Sequence, residues 1–193
     1  MKPILLICCF FWLVSCKNSE NTGNPGQNPV LVSDKTAHSE AFNRSFELLL
    51  DNYFNLSKGF YAQNDSLINQ SARQLSISAD SLALKELKVD SLAMAACYTY
   101  QQGIVAEIKG LLGEPVLLEK RKSFQLISDQ LYELIREIGY DRKKIYHFFC
   151  QEAFSDQGAF WLSERKDAEN PYRPSSGSNC AEIKDSINLV LSN

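Results

Sequence analysis

Between Ser39 and Ile138 apolar residues return every three or four positions, and a chain so patterned has few alternatives to helices packed side by side. Phe42, Phe46, Leu49, Leu50, Tyr53, Phe54 and Phe60 form one stripe, predicting a first helix over about Ser39 to Ala62. Ile68, Ala72, Leu75, Ala79 and Leu82 form a second, with Asp65 as its expected N-cap. After an ambiguous stretch from Ala83 to Leu92, a third stripe carries Cys97, Tyr100, Ile104, Ile108 and Leu111. Gly113-Glu114-Pro115 reads as a stop and a start: Gly just past one helix, Pro in the first turn of the next. Phe124, Ile127, Leu131, Leu134 and Ile138 make the fourth, which Gly139 ends. The expected fold is mainly α, an antiparallel four-helix bundle with a small C-terminal β-hairpin and an irregular tail.

The helical period fails after Lys144. Ile145 to Cys150 is aromatic and strand-favouring, Asp156-Gln157-Gly158 is a turn signal, and Ala159 to Leu162 is a second short strand. Asn170-Pro171-Tyr172-Arg173-Pro174 cannot be regular structure, because proline removes a donor and restricts its predecessor. Ser175 to Asn179 reads as a flexible loop delivering Cys180, and Ala181 to Leu191 as a last helix. Trp161 and Tyr172 are large enough to pin the hairpin to the bundle; a ligand-stacking platform is the rarer use of such a pair.

The first 34 residues are not fold. Ile4 to Val14 is an unbroken apolar run of eleven residues, short of the roughly 20 a membrane-spanning helix needs. It ends in Leu13-Val14-Ser15-Cys16, which resembles the bacterial lipobox. That resemblance implies a signal peptide over 1–15, cleavage before Cys16, and lipid on Cys16. Lys17 to Asp34 is a polar tether in which only Val30, Leu31 and Val32 are apolar, able to hold a domain roughly 25 Å from the headgroups. Residues 35–193 then form a single domain. Lys17 after the lipidated cysteine resembles outer-membrane sorting, facing the periplasm. No second long apolar run follows, so the remainder is expected to be soluble. A net charge of -3 with no basic block argues against nucleic acid as a partner.

Of six cysteines, Cys8 and Cys9 fall in the signal segment and Cys16 at its end, leaving Cys97, Cys150 and Cys180. Cys97 lies on a helical stripe and behaves as a small hydrophobe. Cys150 and Cys180 have three readings: a disulfide closing a thirty-residue loop, metal ligands, or two buried thiols. As ligands they need partners, and His147, Glu152 and Asp156 are near in sequence. If Ile145 to Cys150 is a strand, His147 and Cys150 point to opposite faces, which opposes both shared ligation and a nucleophile-and-base pair. No catalytic constellation is evident, so the chain reads as non-enzymatic. His38, at the edge of the tether, reads as solvated. Asp-Ser-Leu occurs at residues 65, 80 and 90, with Asp-Ser-Ile at 185. The tripeptide suits a helix start and also resembles a bacterial O-glycosylation signal.

Tyr146, Cys150, Ala153, Gly158-Ala159, Trp161-Leu162-Ser163, Asn170-Pro171-Tyr172 and Cys180 together resemble the domain-of-unknown-function 3347 family of exported bacterial proteins, with a weaker match at Arg121, Phe124 and Ser128. The resemblance implies an accessory or binding module of the envelope related to copper or metal handling, with metal-efflux proteins as partners and copper as the possible cofactor. Soft Cu(I) favours thiolate and thioether ligands. The family pattern has Cys-Pro-Met and a further Met three residues before its second Cys; here Gln151, Glu152 and Gly177 stand at those places. The alternative is a structural or interaction lipoprotein in which Cys150 and Cys180 form a disulfide and bind no metal.

Overall fold

The computed structural model describes residues 38–173 and 180–187. The expected signal segment, Cys16, the expected tether, residues 174–179, where a flexible loop is expected, and residues 188–193 lie outside the described residues. Four helices come first among the described residues: α1 (Glu40–Tyr61), α2 (Asp65–Asp80), α3 (Ser91–Gly113) and α4 (Leu117–Ile138). A single 3-10 turn, Leu84–Glu86, occupies the stretch whose sequence was ambiguous.

Side-chain caps set most of the helix starts. Ser39 accepts from Phe42 N–H, Asn64 from Leu67 N–H, and Asp90 from both Leu92 and Ala93 N–H. The cap of α2 is therefore Asn64 rather than Asp65, whose carboxylate instead pairs with Lys120 and accepts from Asn69. Gly113 is the last residue of α3 rather than the one past it. Pro115 lies in the link, and α4 begins only at Leu117. Gly139 stops α4 in the left-handed region (φ 65°), which a side chain would resist.

The predicted stripes are the core, with Tyr100 alone only half-buried. Gly59 of α1 meets Ile68 of α2 and Asn52 donates to Ser78, while Gly103 and Gly110 of α3 lie against Gln130 and Ser123 of α4, so both pairs run antiparallel. Phe124 of α4 joins α1 from the other side, stacked on Tyr53 at 5.2 Å and against Phe60 at 5.0 Å. His38 is buried rather than solvated: its ring packs on Phe42 at 5.1 Å.

The tail forms three strands, β1 (Ile145–Cys150), β2 (Ala159–Ser163) and β3 (Glu182–Ile187), in the order β2-β1-β3, all antiparallel. The expected hairpin is there, but the expected last helix is not: within the described residues its first part is β3. Glu182 to Ile187 has too few apolar positions to make a helical stripe that the bundle could bury, whereas β1 offers a free edge to pair with. The β1–β2 ladder is regular; the β1–β3 ladder slips by one residue between His147 and Phe148, leaving Lys184 bulged.

Candidate functional site

The C-terminal sheet is where the sequence-predicted residues meet. Cys150, last residue of β1 and fully buried, is disulfide-bonded to Cys180, two residues before β3, with Cα atoms 4.9 Å apart. The bond ties the start of β3 to the end of β1, which sets the β1–β3 register. Asn170 donates to Cys180 Sγ at 3.3 Å, drawing the proline-containing segment onto the same point.

His147 lies three residues before Cys150, and the unbroken β1–β2 ladder puts the two on opposite faces. Its ring is stacked between Tyr132 of α4 at 3.9 Å and Phe160 at 4.7 Å. Asp185 of β3 stands directly opposite and accepts from the Tyr132 hydroxyl at 2.6 Å. Burial pushes the imidazole from 6.5 down to about 4, against the pull of Asp185 and with a smaller push from Arg136. Its Nε2 has no hydrogen-bond partner among the described residues. The Tyr132 hydroxyl holds the Asp185 carboxyl below the usual carboxylate range.

The other nearby candidates are drawn elsewhere. Glu152 pairs with Arg173, and the Asp156 carbonyl accepts from the Gln151 side chain. Among the described residues no three His, Cys, Asp or Glu side chains gather where they could hold a metal ion. Cys97 is a free thiol, buried and pushed up to about 11 by that burial and by Glu137.

The link from β1 to β2 is unusual. Phe154, Ser155 and Asp156 are consecutive non-glycine residues with φ of 53°, 56° and 67°. Each such residue costs about 1–2 kcal/mol in the left-handed region. Packing of Phe154 on Tyr172 at 5.4 Å and the Gly158 N–H to Ala153 carbonyl bond hold the turn. Gly158 (φ 81°) comes so close to the Phe149 ring that a Cβ there would collide with it.

Two polar links fasten the sheet to the helices. Leu162 N–H donates to the Tyr53 hydroxyl at 3.0 Å, Tyr53 is 2.7 Å from Ser128 Oγ, and Ser128 donates to the Phe124 carbonyl at 2.8 Å. Since Ser128 donates onward, Tyr53 donates to Ser128, so the chain has one direction and every member is satisfied. It occupies the outer edge of β2 and covers it. Burial pushes the Tyr53 phenol up. Arg121 forms the second link, donating to the Pro171 carbonyl at 2.9 Å and the Phe60 carbonyl at 3.3 Å. Trp161 is fully buried between Phe148 and Tyr172, and the Tyr172 hydroxyl donates to the Phe160 carbonyl at 2.6 Å. The pair pins the hairpin. Tyr53 was legible only as a stripe residue; its one signal was a hydroxyl in an otherwise apolar row, which demands a buried partner.

Comparison with known proteins finds no matching family model, no matching curated protein and no matching solved structure. No helix among the described residues is long and apolar enough to cross a membrane.

Proposed function

We propose that this chain is a lipid-anchored envelope protein, a non-enzymatic accessory module held to the outer membrane through Cys16 and presenting its bundle and sheet to the periplasm. The observation that carries this reading is the Cys150–Cys180 disulfide, a bond that persists in exported, oxidising compartments and is rare elsewhere. It agrees with the lipobox-like Leu13-Val14-Ser15-Cys16, which is independent of it. In this reading the cysteines staple an interaction module, and the exposed β3 edge belongs to its working surface.

The likeness of the tail to a copper-associated exported family favours a second reading. There the pair is reduced in use and its two thiolates, with His147 the nearest imidazole in sequence, hold copper for a metal-efflux partner. Thiol counting and metal analysis of protein purified with and without reductant separate the two. One titratable thiol, that of Cys97, and no copper support the staple. Stoichiometric copper in the reduced protein, lost in Cys150→Ser, supports handling of the metal. Membrane fractionation of Cys16→Ala tests the anchor: release of the variant into the soluble fraction is expected, and unchanged membrane retention overturns it.

A further inference from the structure

The two sulfurs of the disulfide are not equivalent. Cys150 is fully buried at the end of β1, whereas Cys180 is half-buried. Thiol–disulfide exchange depends on access to the attacked sulfur, and that access favours Cys180. Cys180 also holds the donor. Asn170, only 3% exposed, is fastened by two bonds that do not involve the disulfide: its Oδ1 accepts from Tyr172 N–H at 2.9 Å, and its carbonyl from Arg173 N–H at 3.2 Å. The first bond fixes which way the amide faces, so its NH2 end is the one aimed at Cys180 Sγ, 3.3 Å away. The acids two residues beyond each cysteine, Glu152 and Glu182, are paired with Arg173 and Lys184. A hydrogen bond to a charged acceptor is roughly twice as strong as a neutral one, so this contact tightens as charge gathers on the sulfur.

We propose that Cys180 is a thiol–disulfide exchange site for low-molecular-weight thiols, with Cys150 as the leaving and resolving sulfur and the Asn170 amide as the donor to Cys180 Sγ. This rests on the staple reading of the pair and adds that the staple opens. A thiolate attacks Cys180 Sγ, a new S–S bond forms, and the Cys150 sulfur leaves with the electron pair and takes a proton from solvent. A second thiolate attacks the small-molecule sulfur of the mixed disulfide. Cys180 departs as a thiolate held by the Asn170 amide, and the two thiols leave as one small disulfide. The reverse sequence, in which Cys150 displaces the small thiol from Cys180, closes the bond again. Opening removes the covalent hold on β3, four of whose six residues are exposed.

The test treats the full chain, in its oxidised form, with 2-mercaptoethanol, quenches with acid and maps the products by mass spectrometry. The first product is expected to carry mercaptoethanol on Cys180 and a free thiol at Cys150, with the buried thiol of Cys97 unmodified. Asn170→Asp keeps the acceptor for Tyr172 N–H and replaces the donor with a second oxygen, so opening at pH 7 is expected to slow about tenfold. A merely structural Asn170 gives the opposite sign, because a loosened tail opens faster. The proposal is overturned if the adduct forms on Cys150, if no adduct forms while the chain stays folded, or if Asn170→Asp opens as fast as the parent or faster. Free Cys150 and Cys180 thiols in the untreated chain would overturn the staple reading and this proposal with it; the other three outcomes leave the staple standing and overturn this proposal alone.

Discussion

The helical bundle and the C-terminal sheet are held together by different means. In the bundle, cohesion is spread over stripes of fully buried side chains, no one of which is unique. In the sheet it is concentrated in a few discrete links: the disulfide, the Tyr53 relay, the Arg121 clamp and the Trp161–Tyr172 pin. The sheet's edges differ in the same way. The β2 edge is closed by a tyrosine hydroxyl, whereas four of the six β3 residues are exposed and its edge carries charges and a bulge, which discourage pairing with stray strands. Distributed burial tolerates the loss of a part; a linked structure fails at its links. The two regions should therefore respond to different perturbations.

The largest effect is expected where the regions share a residue. Phe124 touches Tyr53, Phe60 and Tyr172, so Phe124→Ala should cost about 3–5 kcal/mol and lower both regions in one cooperative chemical-denaturation transition. Separate transitions would show that the sheet does not depend on the bundle. Reduction, or Cys150→Ser, should come next, at about 3–4 kcal/mol from the loop of thirty residues. Its signature is regional: amide hydrogen exchange should accelerate in β1 and β3 while α1 to α4 keep their protection. Equal acceleration throughout would erase the contrast between the regions.

Tyr53→Phe keeps the ring stack and removes only the relay's central hydroxyl. Leu162 N–H is then buried without an acceptor, and a loss of about 1–3 kcal/mol is expected, with β2 the first strand to exchange. A melting temperature equal to that of the parent would refute the relay.

Acid sharpens the comparison, because one group in each region is displaced in opposite directions. His147, held near 4 in the fold, stays neutral while the unfolded chain takes up a proton below 6.5. The sheet therefore loses stability as pH falls from 6.5 to 4. Asp129 of α4, pushed up to about 6 by burial and then by Glu133, takes up its proton first in the fold. The bundle therefore gains stability as pH falls from 6 to 3.8. After allowance for solvent access each is worth about 1–2 kcal/mol, so the two nearly cancel. Urea titrations between pH 4 and 6.5 should be almost flat for the parent. Asp129→Asn should fall on acidification and His147→Phe should rise; parallel behaviour of the two variants would contradict these signs. The smallest effect is local. Ser155→Gly relieves one left-handed residue in the turn and should raise stability by about 1 kcal/mol in thermal melts.

All four helices were legible in the sequence because an amphipathic helix writes its buried face at a period of 3.6, and Phe42 to Phe60 or Phe124 to Ile138 can be read without knowing what they touch. The hairpin was legible for a related reason, two aromatic runs around a glycine turn. The chain alone thus determined the helical class, the placement of the strand pair and the candidacy of Cys150 and Cys180. Tertiary structure decided the rest. Glu182 to Ile187 becomes a strand because β1 presents an open edge, and no local pattern records a neighbour's unsatisfied backbone. The pairing of the two sulfurs, the burial of His38 and the role of the Tyr53 hydroxyl depend on distances between residues far apart along the chain. Local propensity is a property of a segment, but a hydrogen bond or a disulfide needs two segments brought together, and only packing in three dimensions does that.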